Sequence, residues 1–499
     1  MKRRSFLHKG LSIAASSAAL GPVSRALRAE EHRSWSALPA RSLDGASITL
    51  AATDIADLAG GLHGELLAPG DARYESARRV WNGSIDKHPA LIAACHDAAD
   101  IVRAVSFARE HQLLTAVRAG GHSTSGKSTC EGGILIDLAP MRGVSVDPKA
   151  RAARMQPGTL LGEFDRECAK YGLATTLGTV SLTGAAGLTL GGGLGRLGSH
   201  FGLACDNLQA AKVVTASGQI VHTSESDNPE LLWGLRGGGG NFGVLSALEY
   251  RLHPIEPLVI GGIMEWPWDA ARQVIEFYAD FFPNKPDPLC MDLQLRSTLN
   301  APPTAGMSVC WSGELKAGER ALEPLRKLAR LGRDSVKPVP YVAVQGMFDG
   351  AFPDGRKYFQ KSGLLRGLSP ASIELFLDIL AARRAMPLVL QLQGLGGAAG
   401  RVKPGDTAFV HRDARWDMTI ITQWDDPAHS EANMQAMRDI WARLEPLTDG
   451  FYVNSRYEDS AKAFRENYGS NYPRLARLKD RYDPMNLFRL NANVAPTTA

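Results

Sequence analysis

Three separated runs of glycine constrain this chain more than any other feature. Gly120 and Gly121 stand in RAGGHS; Gly178, Gly184, Gly187, Gly191, Gly192 and Gly193 punctuate a second stretch; Gly237 to Gly240 are consecutive. Glycine makes up 51 of 499 residues, against a usual ~7%. Lacking a Cβ, it lets backbone approach a ligand closely and turn N–H groups toward anionic oxygens. A long dinucleotide lying across several loops needs several such places. One adenylate on one helix does not.

Each run also carries a motif that points elsewhere when taken alone. GHSTSGKS, from Gly121 to Ser128, formally matches the G-x-x-x-x-G-K-[ST] phosphate loop and so suggests an NTPase. A phosphate loop must open a helix, yet Gly132 and Gly133 follow almost at once and lead straight into ILIDL, leaving no room for one. GLGRLG (193 to 198) and GGGNFG (238 to 243) both fit G-x-G-x-x-G. The first lacks an acid about 20 positions later, where VVTASGQIVH falls, and the second runs into the strand-like VLSALEYRL. Neither defines a Rossmann unit.

Composition sets the class. Hydrophobic residues at 44% and charged residues at 22% describe a soluble globular chain long enough for about three compact units. A net charge of +4, with no basic patch after residue 33, excludes a general nucleic-acid binder. Residues 1–29 begin MKRRSFL and continue with an Ala/Ser-rich apolar run, which reads as a twin-arginine signal peptide. The run from Leu11 to Leu20 is too short to span a bilayer, and no later segment offers ~18 apolar residues. The expectation is a bacterial protein handed to the twin-arginine export machinery, periplasmic or secreted, with no membrane span in the mature chain. That route carries folded proteins, often with a cofactor in place. The six cysteines form no C-x-x-C pair and none of the 12 histidines has H-E-x-x-H spacing, so no metal is expected.

Periodicity gives mixed helices and strands. Residues 97 to 112 read as a helix with Ile101, Val105 and Ala108 inward, followed by a strand in LLTAVRAGG. GILIDL is a buried strand, GVSVDPKARAARMQPG a hairpin about Asp147-Pro148, and KVVTASGQIVHT a second hairpin. Thr159 is expected to cap a helix, and Pro229 to begin another. After residue 254, longer helices alternate with strands such as LCMDLQLRST, as in an antiparallel sheet with helices on one face.

RAGGHS, GTVSLTGAAGLTLGGGLGRLGSHFGLACDNL, LLWGLRGGGGNFGVL and YGSNYPRLARLKDRYDPMNLFRLN occur in this order. Together they resemble the FAD-linked oxidases of the berberine-bridge-enzyme-like group, with a vanillyl-alcohol-oxidase (PCMH) type flavin domain. The resemblance covers about residues 80 to 253 and 450 to 495, and more weakly TAFVHR. It implies an α+β fold: a two-subdomain FAD-binding domain (81–253) after an N-terminal extension (30–80), a substrate domain (254–450), and a C-terminal segment (451–499) completing the flavin domain.

The resemblance also implies site residues. His122 would be bonded to the 8α carbon of the flavin. The cysteine that makes a second bond in many members is replaced here by Val180, with Thr179 beside it, so a single link is expected. The pyrophosphate would lie against Arg118, Ala119, Gly120, Gly121, His122 and Ser123 and the loops from Thr183 through Gly184, Gly187, Gly191, Gly192 and Gly193. Asp206, Asn207, Gly237, Gly243 and Val244 would line the flavin or adenosine, and Tyr482, Asn486 and Asn491 would close over the ring. For hydride transfer to flavin N5 from an alcohol-like carbon of a sugar or secondary metabolite, the implied base is Tyr452, with Arg456 lowering its pKa. Gln391 and Gln393 alternate with leucines and so share one strand face, a candidate substrate floor, and His411 is a further candidate. The implied partners are a small-molecule substrate and an electron acceptor, O2 or another. The alternatives are a non-catalytic exported flavoprotein that binds a ligand, and the phosphate-loop NTPase.

Overall fold

The computed structural model describes residues 34–382, 386–456 and 460–497; the signal-like segment lies outside the described residues. The first layer is a four-stranded sheet in which Leu91–Ala94, Ile134–Asp137 and Thr115–Arg118 run parallel. The stretch before residue 81 is part of this layer, because Glu65–Leu67 pairs antiparallel with Leu91–Ala94. The crossover helix Ala98–Glu110 starts where the Asp97 side chain accepts the N–H groups of Ala99 and Asp100. Its Ile101, Ala104, Val105 and Ala108 are fully buried against the sheet. Each such branched side chain contributes roughly 1.5–3 kcal/mol of burial.

The second layer is a five-stranded antiparallel sheet containing both hairpins read from the sequence, Val144–Asp147 with Ala152–Met155 and Leu208–Val214 with Ile220–Ser224. The helix Pro229–Leu235 begins at its proline as expected. Thr159 does not cap the helix Leu161–Ala169: its hydroxyl turns to the Gly143 carbonyl, and Glu163 closes the helix start by accepting the Leu160 N–H. No helix follows the GHSTSGKS stretch, and the next regular element is Ile134–Asp137.

Residues 259 to 424 build a large antiparallel sheet. The period of two assigns its faces. Leu388, Leu390 and Leu392 with Trp416, Met418 and Ile420 pack under the helices Ala271–Phe281, Leu315–Lys327, Pro370–Ala381 and Ser430–Leu444. Gln391 and Gln393 with Asp417, Thr419 and Ile421 therefore project from the opposite face, toward the two smaller sheets. The chain then returns. Helices Ala461–Tyr468 and Tyr472–Tyr482 pack Phe464, Tyr468, Leu475 and Leu478 into the core of the second layer. No helix among the described residues is long and apolar enough to cross a membrane.

Candidate active site

The glycine runs meet at one cavity of about 390 Å³ between the two smaller sheets, the large sheet and the C-terminal segment. The first run leaves the strand Thr115–Arg118, and Gly121 has φ +67°, a left-handed turn that favours glycine. A Cβ on Gly120 would sit 2.3 Å from the Cα of Gly184. The first and second runs thus touch backbone to backbone, which no larger residue permits.

Ala119, Gly120, Gly121, His122, Ser123, Thr183, Gly184, Gly187, Gly191, Gly243, Val244 and Asn491 line this cavity, as do Thr179 and Val180. Four buried polar atoms of lining residues have no hydrogen-bond partner: His122 Nε2, Thr124 Oγ1, Ser128 Oγ and Asn491 Oδ1. Buried polar atoms are seldom left so, and four around one cavity fit a polar ligand there. Burial pushes the His122 pKa down to about 4, so its imidazole is neutral at neutral pH.

Other expected contacts lie elsewhere. The Arg118 guanidinium is spent on Asp137, at 2.9 and 2.6 Å, and on the Arg79 carbonyl, so it secures the strand end rather than facing the cavity. Asp206 is paired with buried Arg412 at 2.7 Å, and Asn207 holds the Phe201 and Leu203 carbonyls and His253; neither lines the cavity. Gly192 and Gly237 make close approaches to Phe409, and Gly193 to Ala204. Tyr482 is packed in the core of the second layer, and Asn486 occupies a left-handed turn at φ +51°. His411 shares a hydrogen bond of 2.9 Å with Asn467 beside a small separate hollow.

The end of the cavity against the large sheet is built by Gln360, Gln391, Gln393, Thr419, Ile421, Phe352 and Tyr452. The Tyr452 oxygen accepts the N–H groups of Gly193 and Leu194, at 3.1 and 3.3 Å, and the Asn454 amide at 2.8 Å. Burial nevertheless pushes its pKa up to about 12. Arg456 does not lower it: that guanidinium donates to the Ser362 carbonyl and stacks 4.3 Å from the Phe451 ring. On the same face beside Gln393, Asp417 accepts the Thr419 hydroxyl at 3.1 Å, and burial raises its pKa to about 7.

Sequence reasoning missed Trp81, Thr124, Ser128, Gln360 and Thr419 among the lining residues. Gln360 and Thr419 carry the same alternation that exposed Gln391 and Gln393, whereas Trp81 left no local signal. None of the six cysteines lines the cavity; all are buried free thiols. His63, Asp97 and Asp100 cluster outside it, where Asp97 caps a helix and Asp100 accepts the His63, Gly64 and His96 N–H groups.

Glycine turns and unpartnered polar atoms around one cavity, closed by a separate sheet with polar side chains, suit a cofactor-dependent enzyme. The family pattern described as FAD binding domain matches residues 89–224, and the one described as berberine and berberine like matches 451–495. YgaK of Bacillus subtilis, an uncharacterized FAD-linked oxidoreductase, is 31% identical over 443 residues, covering 87% of this chain and 97% of its own. The structure of 6-hydroxy-D-nicotine oxidase from Arthrobacter nicotinovorans matches with a TM-score of 0.81 at 30% identity, covering 87% of this chain and 98% of that one. Chitooligosaccharide oxidase matches with a TM-score of 0.79 at 25% identity, covering 89% and 100%. The chain belongs to the berberine-bridge-enzyme-like family of FAD-linked oxidoreductases, and FAD is its cofactor.

Proposed function

We propose that this protein is an exported oxidase or dehydrogenase that carries FAD on a single covalent bond to His122 and oxidises a hydroxyl-bearing carbon of a polyhydroxylated small molecule. The observation that carries the reading is the neutral His122 ring, whose buried Nε2 has no partner in a cavity lined by glycine turns. A neutral imidazole is a competent nucleophile. Thr179 and Val180 on the wall supply no sulfur for a second bond. Export rests on the Arg3-Arg4 start and the short apolar run after it.

FAD, when bound, supplies a two-electron acceptor for hydride from the substrate carbon. The residues of the chain do the rest. The turns from Ala119 to Ser123 and from Thr183 to Gly191 hold the dinucleotide, and Asn491 offers its free carbonyl oxygen. Gln360, Gln391 and Gln393 each present a donor and an acceptor, a pattern suited to a row of hydroxyl groups. The likeness to chitooligosaccharide oxidase supports the same substrate class. Tyr452 takes the hydroxyl proton, and the Gly193, Leu194 and Asn454 donors stabilise its oxygen when it is charged.

Purified protein should stay yellow after acid precipitation, and His122→Ala should release its flavin on the same treatment. Acid-stable flavin in His122→Ala would place the bond elsewhere. Anaerobic bleaching by members of a sugar and alcohol panel identifies the donor, and recolouring in air separates oxidase from dehydrogenase. A yellow protein that no donor bleaches would instead be a ligand-binding flavoprotein.

A further inference from the structure

Trp81, Asn82 and Gly83 join the His122 turn to the large sheet. The Trp81 N–H donates to the Gly121 carbonyl at 3.1 Å, and its carbonyl accepts the Gly355 N–H at 3.0 Å. Its indole N–H donates to the Phe352 carbonyl at 3.1 Å. The Asn82 amide donates to the Thr124 carbonyl at 2.9 Å and the Tyr358 carbonyl at 3.1 Å, and accepts the Tyr358 N–H at 3.0 Å. Gly83 donates to the Arg356 carbonyl at 2.8 Å, and a Cβ there would meet the Gly355 oxygen at 2.0 Å. Trp81 and Asn82 thus bind the two sides of the His122 turn, and Gly83 anchors them to the segment leading into the large sheet.

The rings complete the arrangement. The His122 imidazole lies 4.2 Å from the Trp81 ring at 17°, and Tyr358 lies 3.9 Å from it at 15°. Two near-parallel rings at that separation from one centroid must occupy its opposite faces. Trp81 is therefore clamped between the imidazole of the flavin layer and a tyrosine of the large sheet. Stacking fixes the tilt of the imidazole, and the Phe352 hydrogen bond fixes the indole.

We propose that Trp81 is the positioning residue for flavin attachment, holding the imidazole at the angle the new bond requires, with Tyr358 backing the indole from the large sheet. The inference rests on the reading that His122 carries FAD. In the step concerned, an imidazole nitrogen bonds to the 8α carbon of FAD. That carbon and the imidazole each release a proton, and two electrons remain on the ring. The two-electron acceptor then removes two electrons and two protons, O2 leaving as hydrogen peroxide. Trp81 takes no part in the bonds; it limits how far the imidazole strays from its line of attack.

The full-length chain, produced without flavin, is incubated with FAD in air. Acid-precipitable flavin and intact mass follow attachment, while acid-released flavin reports reversible binding. Trp81→Phe, which keeps a ring face, should attach flavin near the wild-type rate. Trp81→Leu should attach it on the order of a hundredfold more slowly while still binding FAD reversibly. A general structural role would not be rescued by Phe in this selective way. Tyr358→Leu, acting from the large sheet, should also slow attachment and decides the matter if Trp81→Leu does not fold. Wild-type attachment kinetics in Trp81→Leu, or in Tyr358→Leu when it alone folds, overturn the proposal. Wild-type protein that never retains acid-stable flavin overturns the His122 reading itself, and the proposal falls with it.

Discussion

Replacing Lys479 with methionine should detach the C-terminal wall of the flavin cavity. Lys479 and Asp483 are both fully buried and paired at 2.6 Å. The ammonium also donates to the Asn241 carbonyl at 3.0 Å and the Phe488 carbonyl at 3.1 Å. Asp483 in turn accepts the Leu487 and Phe488 N–H groups at 2.8 and 2.9 Å. Phe488, Leu490, Asn491 and Ala492 line the cavity, so one ion pair ties the returning chain to the loop beside Gly240. Methionine matches the lysine stem but leaves the Asp483 carboxylate without its countercharge. Breaking a buried pair from one side costs about 3–5 kcal/mol. At about 2–4 °C per kcal/mol for a cooperative unit of 150–250 residues, the melting midpoint should fall by roughly 6–20 °C. Thermal melts with and without FAD, scored beside Asp483→Asn and the double variant, measure this. The double variant should recover part of the loss, because no unpaired charge remains. A single variant that melts within about 1 kcal/mol of wild type, or a double variant whose loss is the simple sum, would refute the reasoning.

Two further outcomes follow from buried titratable groups. Asp165 is wholly buried, and burial raises its pKa to about 8 against the lowering effect of the Gln345 side chain. The folded state therefore keeps a proton that the unfolded chain releases near pH 4, so stability should fall as pH rises from about 4 to 8, by up to ~1.4 kcal/mol per pH unit. Urea midpoints at pH 5 and pH 8 should differ less in Asp165→Asn, and equal differences in both proteins would remove Asp165 as the cause. For Tyr452, whose phenol is held near 12, substrate reduction of the flavin should quicken with pH through the alkaline range. Tyr452→Phe should lower that rate about 10²–10⁴-fold and flatten the profile; an unchanged profile means that another group takes the proton.

Local pattern made much of this legible. Alternation alone put Gln391 and Gln393 on one face, because a strand repeats every two residues whatever it packs against. Residues adjacent in sequence were the weaker guide. Asp206 and Asn207 sit in a motif of the family, yet their side chains are taken by Arg412, His253 and nearby carbonyls. Tyr482 and Asn491 belong to one terminal motif, and only Asn491 reaches the cavity.

The sequence by itself determined that several glycine turns could approach one long ligand, that no phosphate-loop helix fits between Ser128 and Ile134, and that the later half is an antiparallel sheet with one helical face. These follow from φ freedom, chain length and side-chain period, which are local. Only the tertiary structure decided which turns face the cavity, that the Arg456 guanidinium stacks on Phe451 and leaves the Tyr452 pKa high, and that Trp81 stands between His122 and Tyr358. Those depend on contacts such as Trp81 with Phe352, 271 residues apart. Packing of separate layers sets such distances, and no spacing along the chain encodes them.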